Sequence, residues 1–205
     1  MKISQDLYKL MQFRGRVTES KYPCLYGKAA SVSGADNERF KKAKEQLDIA
    51  KSKDVSIDKI INHTNNFLEE VGIKNLRSLK LDIDKNKIRN KNRTVDIEYS
   101  KIQEVYELNN EAHIIWMKFA KEKSDNSGKR YLGVVAASND INFSAYYASG
   151  IIIESLNLEW DETFVLVFPL PGITDGMRKD IECGVGNYLI SKDIPILDFY
   201  SHRFQ

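Results

Sequence analysis

The sequence predicts an α/β protein, with a three- to four-stranded, mostly parallel sheet in the C-terminal half and a helical N-terminal region before it. Three observations predict it. Residues 131–138, 163–170 and 194–200 read YLGVVAAS, TFVLVFPL and IPILDFY, short apolar runs with little alternation, and strands of that kind belong in a sheet covered on both faces. Residues 143–156 and 174–190 fit helices between those runs, and strand–helix–strand–helix–strand is how a parallel sheet is wired. Ahead of them, residues 36–51 and 56–71 carry apolar side chains at three- and four-residue spacing.

Composition agrees. The chain has 205 residues, 42% hydrophobic and 29% charged, with only 4 Pro, too apolar to be disordered. A chain this long buries roughly 70% of its unfolded surface and needs no disulfide or metal staple. Cys24 and Cys183 form no framework and have no metal-ligand spacing, so a reduced, cytoplasmic location and no metal are expected. The start, MKISQDLYKLMQFRGR, lacks the apolar core of a signal peptide. No apolar run approaches the ~20 residues that span a bilayer, so no membrane partner is expected. Walker, dinucleotide-fingerprint, zincin and serine-elbow motifs are missing, and no cofactor is called for.

Along the chain, residues 2–12 form a short helical candidate, and Gly15, Pro23, Gly27 and Gly34 punctuate the irregular segment at 13–34. The helix at 36–51 presents Phe40, Ala43, Leu47 and Ala50. The helix opened by Ser56 presents Ile60, Thr64, Phe67, Leu68 and Val71 and stops at Gly72. Residues 79–83 and 94–99 are short extended pieces. Residues 100–123 read as the longest helix, because Ile102, Val105, Tyr106, Asn109, Ala112, His113, Trp116, Phe119 and Ala120 make one stripe. The domain plan is a helical region at 1–80, a basic linker or loop at 81–93 and an α/β domain at 94–205.

Charge divides the chain. Residues 131–205 hold four Lys/Arg against ten Asp/Glu, a balance of −6; residues 1–130 hold 27 against 19, a balance of +8. The peak is KNKIRNKNR, Lys85 to Arg93, with five positive charges in nine residues. Such a run can track the phosphates of a nucleic acid, and equally suits a solvated loop.

In an open α/β sheet, ligands bind outside the carboxyl ends of the strands. That rule selects Ser138, Asn139 and Asp140 after the first run. It selects Gly172, Thr174, Asp175 and Gly176 after the second, and Asp198 in the third. His113 is a polar member of an apolar stripe and a further candidate for the pocket wall. In the helix after residue 174, Asp175, Arg178 and Glu182 sit at spacings of three and four and share one face. Gly184 and Gly186, inside that helix, permit close approach to a neighbour or a ligand.

Residues 162–200 resemble the C-terminal part of the nucleoside 2-deoxyribosyltransferase-like fold and of the nucleotide-sensing, Rossmann-like group that includes the lysine-decarboxylase-like phosphoribohydrolases. The matching residues are TFVLVFPLPGITDG, then Glu182-Cys183-Gly184, then Lys192-Asp193-Ile194-Pro195-Ile196. Pro171-Gly172 is followed by Ile173-Thr174-Asp175-Gly176, which departs from the phosphoribohydrolase motif. The resemblance implies a nucleoside or nucleotide ligand and a catalytic Glu, Glu182, acting at the anomeric carbon of an N-glycosidic bond. A carboxylate suits that carbon, where positive charge develops. Asp198, Asp140 or Asp175 would meet ribose hydroxyls or assist proton transfer, and Tyr146 or Tyr147 would stack on the base. The alternative expectation is a non-catalytic interaction protein, whose basic half meets a partner, nucleic acid or a second copy as a homo-oligomer.

Overall fold

The computed structural model describes residues 11, 38–83, 88–89, 94–95, 113–124, 127–138, 141–142 and 148–199. Helix α1 (Glu38–Ser52) buries Ala43, Leu47 and Ala50. Helix α2 (Ile57–Glu70) opens where the sequence places it: the Ser56 hydroxyl accepts from the Lys59 N–H at 3.2 Å, which satisfies one donor of the first turn. It closes at Gly72, whose φ of 82° suits a residue without Cβ.

Strands β1 (Leu79–Asp82), β4 (Ile114–Glu122), β5 (Tyr131–Ser138), β7 (Leu158–Trp160), β8 (Phe164–Pro169) and β9 (Asp198–Phe199) form the main sheet. Its order is β1-β8-β4-β5-β9, with β7 also on β4. A smaller antiparallel sheet joins β2 (Ile88–Arg89), β3 (Thr94–Val95) and β6 (Ile141–Asn142). Two residues of the basic run, Ile88 and Arg89, are thus paired in a strand. Helices α3 (Ala148–Ser155) and α4 (Asp175–Ser191) complete the described elements.

The expected mostly parallel, Rossmann-like sheet is not found. Every pairing among β1, β4, β5, β7 and β8 is antiparallel. Among the described residues, the single parallel pair is β5 with the two-residue β9 at the edge. The cause is β4. Residues 114–122, assigned by the stripe to a helix, are extended, and they lie between β5 and β8. The stripe's earlier part, residues 100–112, lies outside the described residues. The sequence IIWMKFAKE is rich in β-branched and aromatic residues, which fit a pleated surface better than a helix.

The apolar runs have a different explanation from the expected one. Ile115, Met117 and Phe119 enter a core shared with α2 and α4. Ile114 and Ala120 enter a core shared with α1 and α3. Each strand therefore has period two, but both phases are covered, and the alternation vanishes from the sequence. A continuous apolar strand reports two covered faces and says nothing of strand direction. The result is a helix–sheet–helix sandwich.

Two glycines record close approaches. Gly133 is the extra residue where the β4–β5 register shifts between Lys118 and Phe119. A Cβ there would meet Trp160 Cζ3 at 2.5 Å and the Lys118 carbonyl oxygen at 3.2 Å. A Cβ on Gly184 would meet Phe67 Cζ at 2.3 Å and Met11 Cγ at 3.0 Å. Gly184 therefore lets α4 seat against α2, so its neighbour is the protein's own core.

The three apolar runs still share a direction. β5 and β8 are both antiparallel to β4, and β9 is parallel to β5. Their carboxyl ends emerge at one rim, where β4 begins and α4 starts. Among the described residues, no helix is long and apolar enough to cross a membrane.

Candidate functional site

The rim is built by three chain reversals. β8 ends at Pro169, and a turn through Gly172, with φ of 68°, sends the chain into α4. Thr174 caps that helix, accepting from the Met177 N–H at 3.4 Å. The start of β4 is tied to the same place, since the Leu170 N–H donates to the His113 carbonyl at 2.9 Å. Ser138, the last residue of β5, pairs with Ile114 beside it. Among the described residues, nothing stands within 4 Å of a Cβ built on Gly172 or Gly176.

These reversals bring His113, Asp175 and Arg178 together. Arg178 Nη1 lies 3.4 Å from His113 Nδ1. A guanidinium only donates, so Nδ1 accepts and the ring proton sits on Nε2. His113 Nε2 and Arg178 Nη2 each lie 3.6 Å from Asp175 Oδ1, which is long for a hydrogen bond. Asp175 is held loosely, with its side chain 74% exposed against 15% for His113 and 20% for Arg178.

Glu182 stands one turn deeper on the same helix face, at 8% exposure. The face of α4 thus descends from an open carboxylate through a half-buried guanidinium to a buried carboxylate. Asp198 is elsewhere. It is buried at 1% on β9 and accepts from the Ser149 hydroxyl of α3 at 2.5 Å. That contact ties it to the helix layer opposite α4. Asn139, Asp140, Tyr146 and Tyr147 lie outside the described residues.

Sequence reasoning missed two features. Lys118, buried at 3%, has its ammonium 4.4 Å from the Trp160 ring centroid and 5.0 Å from that of Trp116. Only recognition of β4 as a strand would have shown it pointing inward. Asp161, also buried, accepts from Arg130 Nε, from the Thr163 N–H at 3.0 Å and from the Thr163 hydroxyl at 2.6 Å. Burial opposes its ionisation, but the Thr163 and Arg130 hydrogen bonds outweigh burial and hold its carboxyl below the usual carboxylate range. Among the described residues no group of three His, Cys, Asp or Glu is placed to hold a metal ion.

Comparison of the chain with family models, with curated proteins and with solved structures returns no match. Function is therefore read from the chemistry of the site.

Proposed function

We propose that this protein binds a nucleoside or nucleoside monophosphate at the rim and acts on its N-glycosidic bond. The observation that carries the reading is the descending face of α4, with Asp175, Arg178 and Glu182 one below another and His113 beside the first two. Arg178 and the protonated Nε2 of His113 are donors suited to a phosphate or a ribose oxygen. Asp175, loosely held, accepts from ribose hydroxyls. Glu182, in its drier position, is the nucleophile or base at the anomeric carbon.

The test is calorimetric titration with adenosine, AMP and the other common nucleosides and monophosphates, followed by a turnover assay on whichever bind. Arg178→Ala is expected to weaken monophosphate binding by about tenfold or more. Glu182→Gln is expected to abolish turnover while leaving binding in place. Unchanged binding and turnover in Glu182→Gln would refute its assignment.

The charge division favours a second reading, an interaction protein whose basic half meets nucleic acid or a second copy. The Lys85 to Arg93 run is its centre, and its Arg89 lies in β2. A salt-insensitive monomer in sizing, with no retention on nucleic acid at low salt, would exclude it.

A further inference from the structure

A concavity lies at the opposite end of the sheet from the rim. It is a cavity of about 240 Å³ between the α1–α2 connection, the β4–β5 hairpin and the Ile194–Pro195 approach to β9. Its accessible apolar floor is Val55 and Ile57, both half-buried, backed by the buried Ile60, Phe119, Leu132 and Ile194 of the α2–α4 core. Its lining includes three cations, Lys53, Lys129 and Arg130, against one acid, Asp54. Two of those cations already have acid partners: Arg130 holds Asp161, and Lys53 lies 3.7 Å from Asp193. Lys129 differs, because its ammonium donates to the Lys51 carbonyl at 2.7 Å and stands 6.0 Å from the Tyr131 ring centroid. Among the described residues, a carbonyl and a ring leave its positive charge uncompensated, with two of its three donors unused in those contacts.

We propose that this cavity is a binding site for a small amphipathic anion, with its charged head on Lys129 and its apolar body on the Val55–Ile57 floor. Water against such a floor has few hydrogen-bond partners, so replacing it with hydrocarbon is favourable. The volume lies below the roughly 300–1,000 Å³ of drug-sized sites, which limits the ligand to a short chain or a single ring. The head can be a carboxylate or a phosphate, since an ammonium reads charge rather than a planar fork.

The full chain is titrated with octanoate, octyl phosphate, 1-octanol and inorganic phosphate, by calorimetry and thermal shift. At least one of the two octyl anions is expected to bind and raise Tm, and whichever binds more tightly identifies the head. Octanol and inorganic phosphate are expected to bind at least about tenfold more weakly, each lacking one half of the recognition. Lys129→Ala is expected to cost the octyl anion a similar factor. Ile57→Trp, at a half-buried lining position, is expected to block it while circular dichroism stays native. Arg178→Ala, at the rim, is expected to leave octyl-anion binding intact, which separates this site from the nucleotide reading. Octanol binding as tightly as both anions, no binding by either anion, or full affinity in Lys129→Ala would overturn the proposal.

Discussion

The two faces of the sheet are covered alike but built differently. Toward α2 and α4 the buried side chains from sheet and α2 are Phe, Leu, Ile, Val and Met. Thr64 of α2 returns its hydroxyl to the Ile60 carbonyl at 2.8 Å, and α4 buries Glu182 and Asn187. Toward α1 and α3 the sheet buries Lys118 beside two tryptophans and Asp198 against Ser149, and α1 buries Gln46. Neither side-chain polar atom of Gln46 has a hydrogen-bond partner among the described residues, and Trp160 Nε1 has none either. Burying polar groups costs stability unless they are bonded. The first face thus takes its buried polar groups from the helices, whereas the second takes them from the sheet as well as from α1.

The largest expected effect comes from breaking the first face. Phe67 is fully buried and touches Tyr188 with ring centroids 5.4 Å apart. Phe67→Ala is expected to cost about 3–5 kcal/mol in chemical denaturation. Gly184→Ala, which thrusts a methyl into Phe67, is expected to cost about 1–3 kcal/mol. If the second face is looser, Gly133→Ala, which thrusts a methyl at Trp160, will cost less than Gly184→Ala. An equal cost would show the two faces to be equally rigid.

Next comes the buried carboxylate where β7 gives way to β8. Asp161→Asn is expected to cost about 2–3 kcal/mol at neutral pH, because charge-assisted bonds from Arg130 and Thr163 are weakened. The folded-state shift is downward, so the carboxylate's contribution is present above its unfolded pKa of roughly 4. It is lost as pH falls through the folded value. An acid titration of stability below roughly pH 4 should be shallower in Asp161→Asn than in the wild type.

Smaller again is the effect of His63, on α2. Burial lowers its pKa, and Lys59 and Lys192 add to this. The unfolded chain then binds the proton more readily than the folded one, so stability falls as pH drops below roughly 6.5. His63→Phe should flatten that slope, read as Tm against pH between 5 and 7.5. The smallest effect belongs to the half-exposed Lys51–Glu122 ion pair at 2.8 Å. Lys51→Ala is expected to change stability by about 0–1 kcal/mol, with the difference disappearing in high salt.

Legibility in the sequence has the same physical basis. The Ser56 cap was readable because a hydroxyl before an apolar repeat is a local signal. So were the buried positions of α2, whose outer face is solvated and whose period survives. β5 and β8 were found as strands, yet their direction was not, because two covered faces erase the alternation that marks antiparallel sheets. His113 was chosen for a wrong local reason, as a polar residue on a helical stripe. The structure places it at the foot of β4, beside Asp175 and Arg178. The far cavity was invisible, since Lys53 and the Lys129–Arg130 pair come from turns distant in sequence and carry no shared spacing.

The insertion of β4 between β5 and β8 has a consequence for synthesis. Its partner β5 comes within one hairpin, so that pair can zip as soon as both leave the ribosome. The opposite edge of β4 waits for β8, and β1 waits for the same strand, since Leu79 pairs with Val167. Until then an apolar ribbon stands open on one side, able to recruit another nascent chain. A translational pause while β4 and β5 are outside the ribosome and β8 is still within its exit tunnel should therefore lower the soluble yield more than an equal pause after β8 has emerged.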